Sequence, residues 1–262
     1  MEIKIESLIP QIFDRKNIQA NNIKTNNLYA KIASEIAIRL KETNLYFENT
    51  LEINSKIIDT SIKIKETRLI KNLYRTAINN PKNENIVNFK SDEEYLAIKN
   101  NSLDLVYSIL GLNTINDLPG TFKQIYNSLK PGGLFIAAFW GDGTLSPLAE
   151  SLAYADEKIL KGLYTRIFPF CDIKTLGSLI QRAGFSMPMA DQERTLKQYS
   201  SITDLFAEIR SFSDKNILTT RPKSFTPKSI FKEAEKHLIK TSNNQSKFSM
   251  PFNIIFVMGW KG

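Results

Sequence analysis

The stretch that decides the fold runs from Ser102 to Trp140 and reads SLDLVYSILGLNTINDLPGTFKQIYNSLKPGGLFIAAFW. Its start, 103–108, is a short and mostly apolar run between polar residues, which is typical of a strand covered on both faces. Apolar side chains then recur at helical spacing over 122–129, which predicts an amphipathic helix. Pro131-Gly132-Gly133 is expected to end that helix, and 134–140 is a second buried strand. The order strand, helix, strand predicts a βαβ unit.

The remaining elements are predicted from the same periodicities and from capping signals. Before the unit they are a helix over 28–41, strands over 49–53, 69–72 and 86–89, and a short helix over 56–64. After it they are helices over 145–161 and 172–184, two more helices within 200–240, and a last strand over 248–260. We therefore interpret 1–45 as an arm and a helix, and 46–262 as one α/β domain with helical insertions at about 141–172 and 200–240.

Several motifs, in this order along the chain, resemble a known superfamily. Asp-Leu-Val at 104–106 and Leu-Lys-Pro-Gly-Gly at 129–133 are similar to the second half of class I S-adenosylmethionine-dependent methyltransferases. Further segments resemble one branch of that superfamily: Ile12-Phe13-Asp14-Arg15, Asp92-Glu93-Glu94, Asn116-Asp117-Leu118-Pro119, 176–185, 209–218 and 255–261. That branch contains the mitochondrial complex I assembly methyltransferase-like factor and its alphaproteobacterial relatives, and the malonyl-carrier-protein methyltransferase of biotin synthesis is a more distant cousin. The resemblance implies a Rossmann-like sheet of seven strands, mostly parallel with an antiparallel last strand, under a helical lid.

The resemblance also implies a site for S-adenosylmethionine. The residues that match its contacts are Glu52, Asn54, Asn72, Asp92, Glu93 and Ser108. Such domains hold the cofactor on a glycine-rich loop after the first strand, because glycine permits positive φ and close approach of the backbone. Here the loop reads Asn54-Ser55-Lys56-Ile57-Ile58 and contains no glycine.

Two other cofactor positions differ in how well they are kept. The second strand of such folds ends in an acid that accepts hydrogen bonds from the ribose, and our alignment places Asn72 there. An amide oxygen accepts a hydrogen bond but carries no charge. The pair Asp92-Glu93, where such folds often contact adenine, is retained. The sequence therefore indicates a methyltransferase-like domain whose cofactor loop is degenerate.

Two functions follow from this resemblance. The first is an S-adenosylmethionine-dependent methyltransferase-like protein that modifies, or assists the assembly of, a respiratory complex I subunit; no general base is identified. The alternative is a catalytically inactive pseudo-methyltransferase that acts as a protein-binding or assembly factor. An open crevice beside Asn54 would favour the enzyme, and a crevice filled by Lys56 or Ile57 would favour the binding factor.

Composition narrows the remaining classes. The formal net charge is +8, but the lysines are scattered, so nucleic-acid binding is the less favoured interpretation. One cysteine and one histidine cannot form a tetrahedral zinc site, and His237 is expected on a solvated helix face. No apolar run approaches the roughly 18 residues of a transmembrane helix. The first residues do not resemble a secretory signal, so a cytoplasmic location is expected.

Four features near the predicted lid each have two interpretations. Trp140-Gly141-Asp142 could face a ligand at a strand end or only form a turn. Ser108 could contact a ligand or be structural. Arg210 and Asn216 could face a substrate or solvent, and 168–170 could line a pocket or pack the lid, with packing favoured.

Overall fold

The computed structural model describes residues 10–15, 27–54, 56–76, 86–212, 216–242 and 246–262. The rest of the predicted arm, 1–9 and 16–26, lies outside the described residues, as does Ser55 of the predicted cofactor loop. The helices are α1 Asn27–Glu42, α2 Ile58–Lys65, α3 Leu118–Ser128, α4 Ser146–Leu160, α5 Ile173–Ala183, α6 Ile202–Ser211 and α7 Lys228–Thr241. The strands are β1 Phe47–Glu52, β2 Ile70–Thr76, β3 Val87–Phe89, β4 Leu103–Ile109, β5 Leu129–Trp140, β6 Ser186–Tyr199 and β7 Phe248–Trp260.

One seven-stranded sheet has the order β3-β2-β1-β4-β5-β7-β6. The first five of these strands are parallel, and β7 runs antiparallel between β5 and β6. The predicted fold class is therefore confirmed. Because β1, β2, β4 and β5 run in the same direction, their carboxyl ends meet at one edge of the sheet, where α/β folds bind ligands.

Apolar layers cover both faces of the sheet. On one face α1, α4, α6 and α7 bury a large cluster of side chains against the strands. On the other face α3 and α5 bury a second cluster. Strands β4, β5 and β7 are buried on both faces, which explains why their sequences read as continuous apolar runs rather than alternating ones.

Local signals set the helix ends as expected. Asp172 precedes α5, and its side chain accepts a hydrogen bond from the Thr175 N–H, as an N-cap does. Gly184 ends α5 at φ +106°, a left-handed conformation that glycine adopts without steric cost. In the parts of the chain that the structure describes, no helix is both long and apolar enough to cross a membrane.

Two strand features differ from the sequence predictions. β5 begins at Leu129, before Pro131-Gly132-Gly133, which forms a bulge instead of separating the helix from the strand. In this bulge Gly132 has φ +77°, and its N–H donates to the Lys261 carbonyl at 2.7 Å. The sequence prediction missed β6 altogether. This edge strand is polar and exposed along most of its length, so neither an apolar run nor buried alternation marks it.

Candidate functional site

A buried group of polar side chains lies where three parallel strands end. Glu52 ends β1, and the register places Arg75 of β2 and Tyr107 of β4 beside it. Arg75 Nε donates to Glu52 Oε2 at 3.3 Å, and the Tyr107 hydroxyl donates to the same oxygen at 3.1 Å. The hydroxyl of Ser61 in α2 also donates to it. All four side chains are fully buried, and we call Glu52, Ser61, Arg75 and Tyr107 the polar cluster.

Within the polar cluster the pKa of Tyr107 is shifted. Burial raises the pKa of Tyr107 well above its ordinary value, and the neighbouring Glu52 raises it further, so the phenol stays protonated and donates. Arg75 supplies the positive charge beside Glu52, and its Nη1 also donates to Asn88 Oδ1 at 3.2 Å. Because both charges are withdrawn from water, removing either one would leave an uncompensated buried charge.

The loop after β1 is packed against the loop after β4. Asn54 has φ 50°, the left-handed conformation in which asparagine replaces glycine most readily. Its backbone N–H donates to Thr76 Oγ1 at 2.8 Å, and its Nδ2 donates to the Gly111 carbonyl at 2.7 Å. A Cβ on Gly111 would lie 2.7 Å from the Asn54 carbonyl oxygen, so the two loops touch through their backbones. Asn54 therefore keeps the backbone conformation of a glycine while its side chain fills the space beside it.

Two further residues of this loop region face inward. Ser108 is buried, and its hydroxyl donates to the Ile53 carbonyl at 2.9 Å, which ties β4 to the end of β1. Ile57 packs into the apolar core before α2. Gly111 therefore packs directly against Asn54. Of the two residues that one alternative placed in this crevice, Lys56 and Ile57, Ile57 lies in the apolar core instead.

The position of Asn72 corrects our alignment of the second strand. β2 continues to Thr76, so Asn72 is its third residue and not its last. It pairs with Asn49 within β1, and its Nδ2 donates to Asn49 Oδ1 at 3.2 Å. The prediction that Asn72 ends the second strand was wrong. Lys71 and Asn72 are polar and interrupt the apolar run, but the strand continues beyond them. Arg75, the last residue but one of β2, is the charged residue near that end.

Arg15 binds the acidic segment that was expected to contact adenine. Its Nη2 lies 3.0 Å from Asp92 Oδ1 and 2.5 Å from Glu93 Oε2, and its Nη1 donates to the Thr114 carbonyl at 3.1 Å. Glu93 is buried, and burial raises its pKa although Arg15 acts in the opposite direction. Both carboxylates therefore pair with Arg15, Glu93 in the interior and Asp92 with about half of its side chain exposed.

We call residues 92–94 the acidic segment. The residues around Arg15 connect it to the predicted lid insertion at about 200–240. We call 10–15 the arm segment. Phe13 forms a β-bridge with Leu218, and Arg221 Nη2 donates to Asp14 Oδ2 at 3.0 Å. The arm segment thus holds the lid on one side and the acidic segment on the other.

A cavity of about 360 Å³ lies beyond the ends of β5 and β7. Its walls come from these strands, from α4, α6 and α7, and from the loops around 166–170 and 216–226. We call it the lid cavity. Trp140 lies in its wall and packs against Phe212 and Phe252, with ring centroids 5.2 and 6.1 Å apart. None of the six residues predicted to bind the cofactor lines it.

The lid cavity decides several of the open interpretations. Trp140 and Asn216 line it, whereas Arg210 is exposed on α6 and is not part of its wall. Phe168 and Phe170 line it and also pack against each other, with ring centroids 5.0 Å apart, so both interpretations hold for them.

The single histidine lies on α7, where it packs against α4 and is half-buried. The expectation of a solvated position was therefore wrong. His237 stacks on Tyr154 with ring centroids 4.3 Å apart, and its Nδ1 lies 2.9 Å from Ser151 Oγ. Among the described residues, no group of three His, Cys, Asp or Glu side chains is arranged to hold a metal ion.

Sequence reasoning missed Arg75, although one signal for it exists. Arg75 follows Leu73 and Tyr74 within a strand. A charged side chain in such a run is rarely buried unless it is paired, and the parallel register of β1 and β2 would have supplied Glu52 as its partner.

S-adenosylmethionine is the group that the fold implies, and the described residues do not fit its ribose end. Arg75 stands near the end of β2 where a carboxylate would accept from the ribose hydroxyls, and a guanidinium only donates. Arg75 is also already bound to Glu52. Asp92 and Glu93 are bound by Arg15.

Comparison with known proteins agrees with this architecture. The family described as "Methyltransferase domain" matches residues 60–137. The chain is 28% identical over 244 residues to the arginine-hydroxylase NDUFAF5, mitochondrial, of Danio rerio, covering 91% of this chain and 76% of that protein. It is 31% identical over 175 residues to the protein of the same name from Homo sapiens, covering 67% of this chain and 51% of that protein. The malonyl-[acyl-carrier protein] O-methyltransferase of Nitrosospira multiformis is 27% identical over 170 residues, covering 65% and 53%.

Solved structures support the fold. The YcgJ protein of Bacillus subtilis superposes with a TM-score of 0.58 at 12% identity, covering 87% of this chain and 98% of that one. Haemonchus contortus phosphoethanolamine N-methyltransferase 2, solved with S-adenosylhomocysteine, gives a TM-score of 0.50 at 15% identity, covering 87% and 53%. The chain spans about half the length of the human relative and of the nematode enzyme.

Proposed function

We propose that this chain, which matches a methyltransferase domain over residues 60–137, serves as a methyltransferase-like assembly factor that does not depend on S-adenosylmethionine. Its partner in this proposal is a protein subunit of respiratory complex I. The observation that carries the proposal is the ion pair between Glu52 and Arg75, which fills the ends of β1 and β2 with the chain's own charges.

The position of Arg75 is the strongest argument against ordinary cofactor binding. An arginine that turned to a ligand would leave Glu52 buried without its counter-charge, which costs several kcal/mol. The acidic segment is similarly engaged, since Arg15 is largely buried against Asp92 and Glu93. Cofactor binding through these residues would have to break the pair between Glu52 and Arg75 and the pairs of Arg15 with Asp92 and Glu93.

The choice of partner rests on sequence similarity. The relatives named arginine-hydroxylase NDUFAF5 are mitochondrial, and the branch that this sequence resembles contains a complex I assembly factor. The ordered arm segment supports a role that needs a stable surface, because it ties the acidic segment and the lid together through Arg15, Asp14 and Phe13.

A second candidate function is S-adenosylmethionine-dependent modification of the same partner. Two observations favour it. Asn54 keeps the left-handed backbone of the first loop glycine. Glu52 Oε1 is buried without a hydrogen-bond partner among the described residues, so it is able to accept one from a ligand.

Calorimetric titration with S-adenosylmethionine and S-adenosylhomocysteine distinguishes the two functions. We expect no heat at millimolar ligand. Micromolar binding, about −8 kcal/mol, that weakens in Asp92→Ala but not in Asp191→Ala would overturn the proposal and support the enzyme. Asp191 is a matched control, because it is also a partly exposed carboxylate paired with an arginine, Arg39.

The assembly role is tested separately in cells that lack the chain. We expect NADH:quinone oxidoreductase activity of their membranes to be restored equally by the natural chain and by Asp92→Ala. Restoration by the natural chain alone, with Asp92→Ala folded and present at the same level, would show that the acidic segment does more than bind Arg15. No restoration by either chain would remove complex I as the partner.

A further inference from the structure

We infer that the lid cavity binds a small apolar monocarboxylate, with the hydrocarbon body against Trp140 and the acid group at Arg166 and Arg221. This inference goes beyond the proposed function, because it uses neither S-adenosylmethionine nor a protein partner.

The size and walls of the lid cavity suit a compact apolar molecule. Its volume of about 360 Å³ lies within the range of small-molecule sites, which are mostly apolar with a few placed polar groups. Most of its lining is aromatic or aliphatic: Trp140, Leu145, Leu148, Leu152, Ile167, Phe168, Phe170, Phe206, Ile209, Phe212, Phe231 and Phe252.

Most of the polar lining groups are gathered at one end. Arg166 Nη1 donates to Thr226 Oγ1 at 2.8 Å, and Asn216 Nδ2 donates to the Arg166 carbonyl at 3.0 Å. Arg221 follows on the same loop as Asn216. Thr144 is the exception, and its hydroxyl donates to the Asn253 carbonyl. A ligand with an apolar body and one polar end matches this separation of apolar and polar lining residues.

The arginine N–H groups at the polar end favour an anionic ligand. The lining contains two arginines and no aspartate or glutamate. Arg166 is held by the fully buried Asp156, which accepts from its Nε and Nη2 at 2.7 Å each, so the guanidinium is fixed in place. Its Nη groups carry further N–H bonds, which a carboxylate accepts well.

Arg221 is the more available of the two arginines. Its side chain is 30% exposed. Its Nη2 donates to Asp14 Oδ2 at 3.0 Å and its Nη1 donates to the Leu218 carbonyl at 2.8 Å, so each of these nitrogens keeps one further N–H. An incoming carboxylate would therefore meet one arginine that is fixed and one that is able to adjust. An incoming guanidinium or ammonium group would meet two guanidinium groups whose carboxylate partners, Asp156 and Asp14, are not part of the cavity wall.

Fluorescence of Trp140 tests the inference in the full chain. The background is Trp260→Phe, which leaves Trp140 as the only tryptophan. The probes are decanoate, decylammonium and decanol, which share one chain and differ in head group, used below the concentrations at which they form micelles. We expect decanoate to change Trp140 emission with saturation and to raise Tm, and decylammonium to do neither.

Matched variants locate the binding. Arg221→Gln should weaken decanoate binding about tenfold, whereas Arg182→Gln, on the exposed face of α5, should leave it unchanged. Ile209→Phe narrows the cavity and should also weaken binding. If Ile209→Phe does not fold, Leu148→Phe replaces it at another point of the wall.

Three outcomes would overturn the inference. They are binding of decylammonium as tight as that of decanoate, absence of saturable binding by decanoate, and decanoate binding that survives both Arg221→Gln and the narrowed cavity unchanged. Because no experiment of this set contains S-adenosylmethionine or a complex I subunit, its failure is distinct from failure of the proposed function.

Discussion

The polar cluster and the lid cavity lie at the same edge of one sheet, yet they are built in opposite ways. The polar cluster closes the ends of β1, β2 and β4 with a buried ion pair and its hydrogen-bond donors. The lid cavity leaves about 360 Å³ open beyond β5 and β7 between mostly apolar walls. Among the described residues, the second half of this sheet edge therefore holds a ligand-sized space, while the strand ends of the first half hold the chain's own paired charges.

The largest loss of stability is expected when the arginine of the polar cluster is removed. Arg75→Met leaves Glu52 buried and unpaired, so we expect the free energy of unfolding to fall by about 3–5 kcal/mol. Urea unfolding followed by circular dichroism measures the change, and Arg182→Met on the surface is the control.

The double variant Glu52→Gln/Arg75→Met removes both charges and should recover most of that loss. If Arg75→Met is no less stable than Arg182→Met, the ion pair does not stabilise this half of the sheet edge, and the contrast with the lid cavity loses its basis.

The loop beside the polar cluster gives a smaller effect. Asn54→Ala places an alanine at positive φ and removes the buried hydrogen bond to Gly111, which together should cost about 2–3 kcal/mol. Asn54→Gly loses only the hydrogen bond and should cost about 1–2 kcal/mol. Asn44 is also left-handed, at φ 55°, but is exposed. Equal losses for Asn54→Ala and Asn44→Ala would show that the contact with Gly111 contributes nothing.

The contribution of the acidic segment to stability should depend on pH. Burial raises the pKa of Glu93 in the folded protein, so its contribution to stability is fully present below the ordinary pKa of about 4.5 and is lost as the pH rises through the raised value. Glu93→Gln should therefore gain stability relative to the natural chain from pH 4 towards pH 7. Urea midpoints across that range measure it, and Glu157→Gln on the exposed face of α4 is the control. The opposite slope would mean that attraction to Arg15 outweighs burial.

The smallest effect is expected where the arm segment meets the lid cavity. Asp14 and Arg221 are both partly exposed, so Asp14→Asn should lower the free energy of unfolding by less than about 1 kcal/mol. Because the variant releases Arg221, it should tighten decanoate binding by up to about fivefold. Weaker binding in Asp14→Asn would mean that Asp14 positions Arg221 and does not compete for it.

Much of the fold could be predicted because the central strands carry strong signals. β4, β5 and β7 are buried on both faces and read as apolar runs, and the ends of α5 follow from Asp172 and Gly184. β6 could not be found in this way, because the half-buried positions that alternate along its second half are mostly polar and its first half is exposed. Its pairing depends on β7, which lies far along the chain.

The candidate site was less predictable for a physical reason. Glu52, Asn54 and Ser108 do lie near one another, since parallel strands end at one edge. Their partners, however, are fixed by register and by loop packing, which a single sequence does not reveal. Asn72 was misplaced because a strand end was inferred from local polarity, whereas backbone pairing with β1 carries β2 on to Thr76. The lid cavity depends on how α4, α6 and α7 pack together, which no local pattern encodes.

The place of β7 in the sheet has a consequence for how the chain acquires its structure. β7 follows every other strand along the sequence, yet it lies between β5 and β6 and pairs with both. During synthesis β6 therefore emerges before its only neighbouring strand in the sheet exists. β5 and β7 pair across more than 100 residues. Closing such distant contacts is slow, and unpaired strand edges favour aggregation in the meantime. The polar and charged side chains of β6 keep its unpaired edge soluble and disfavour aggregation until β7 pairs with it.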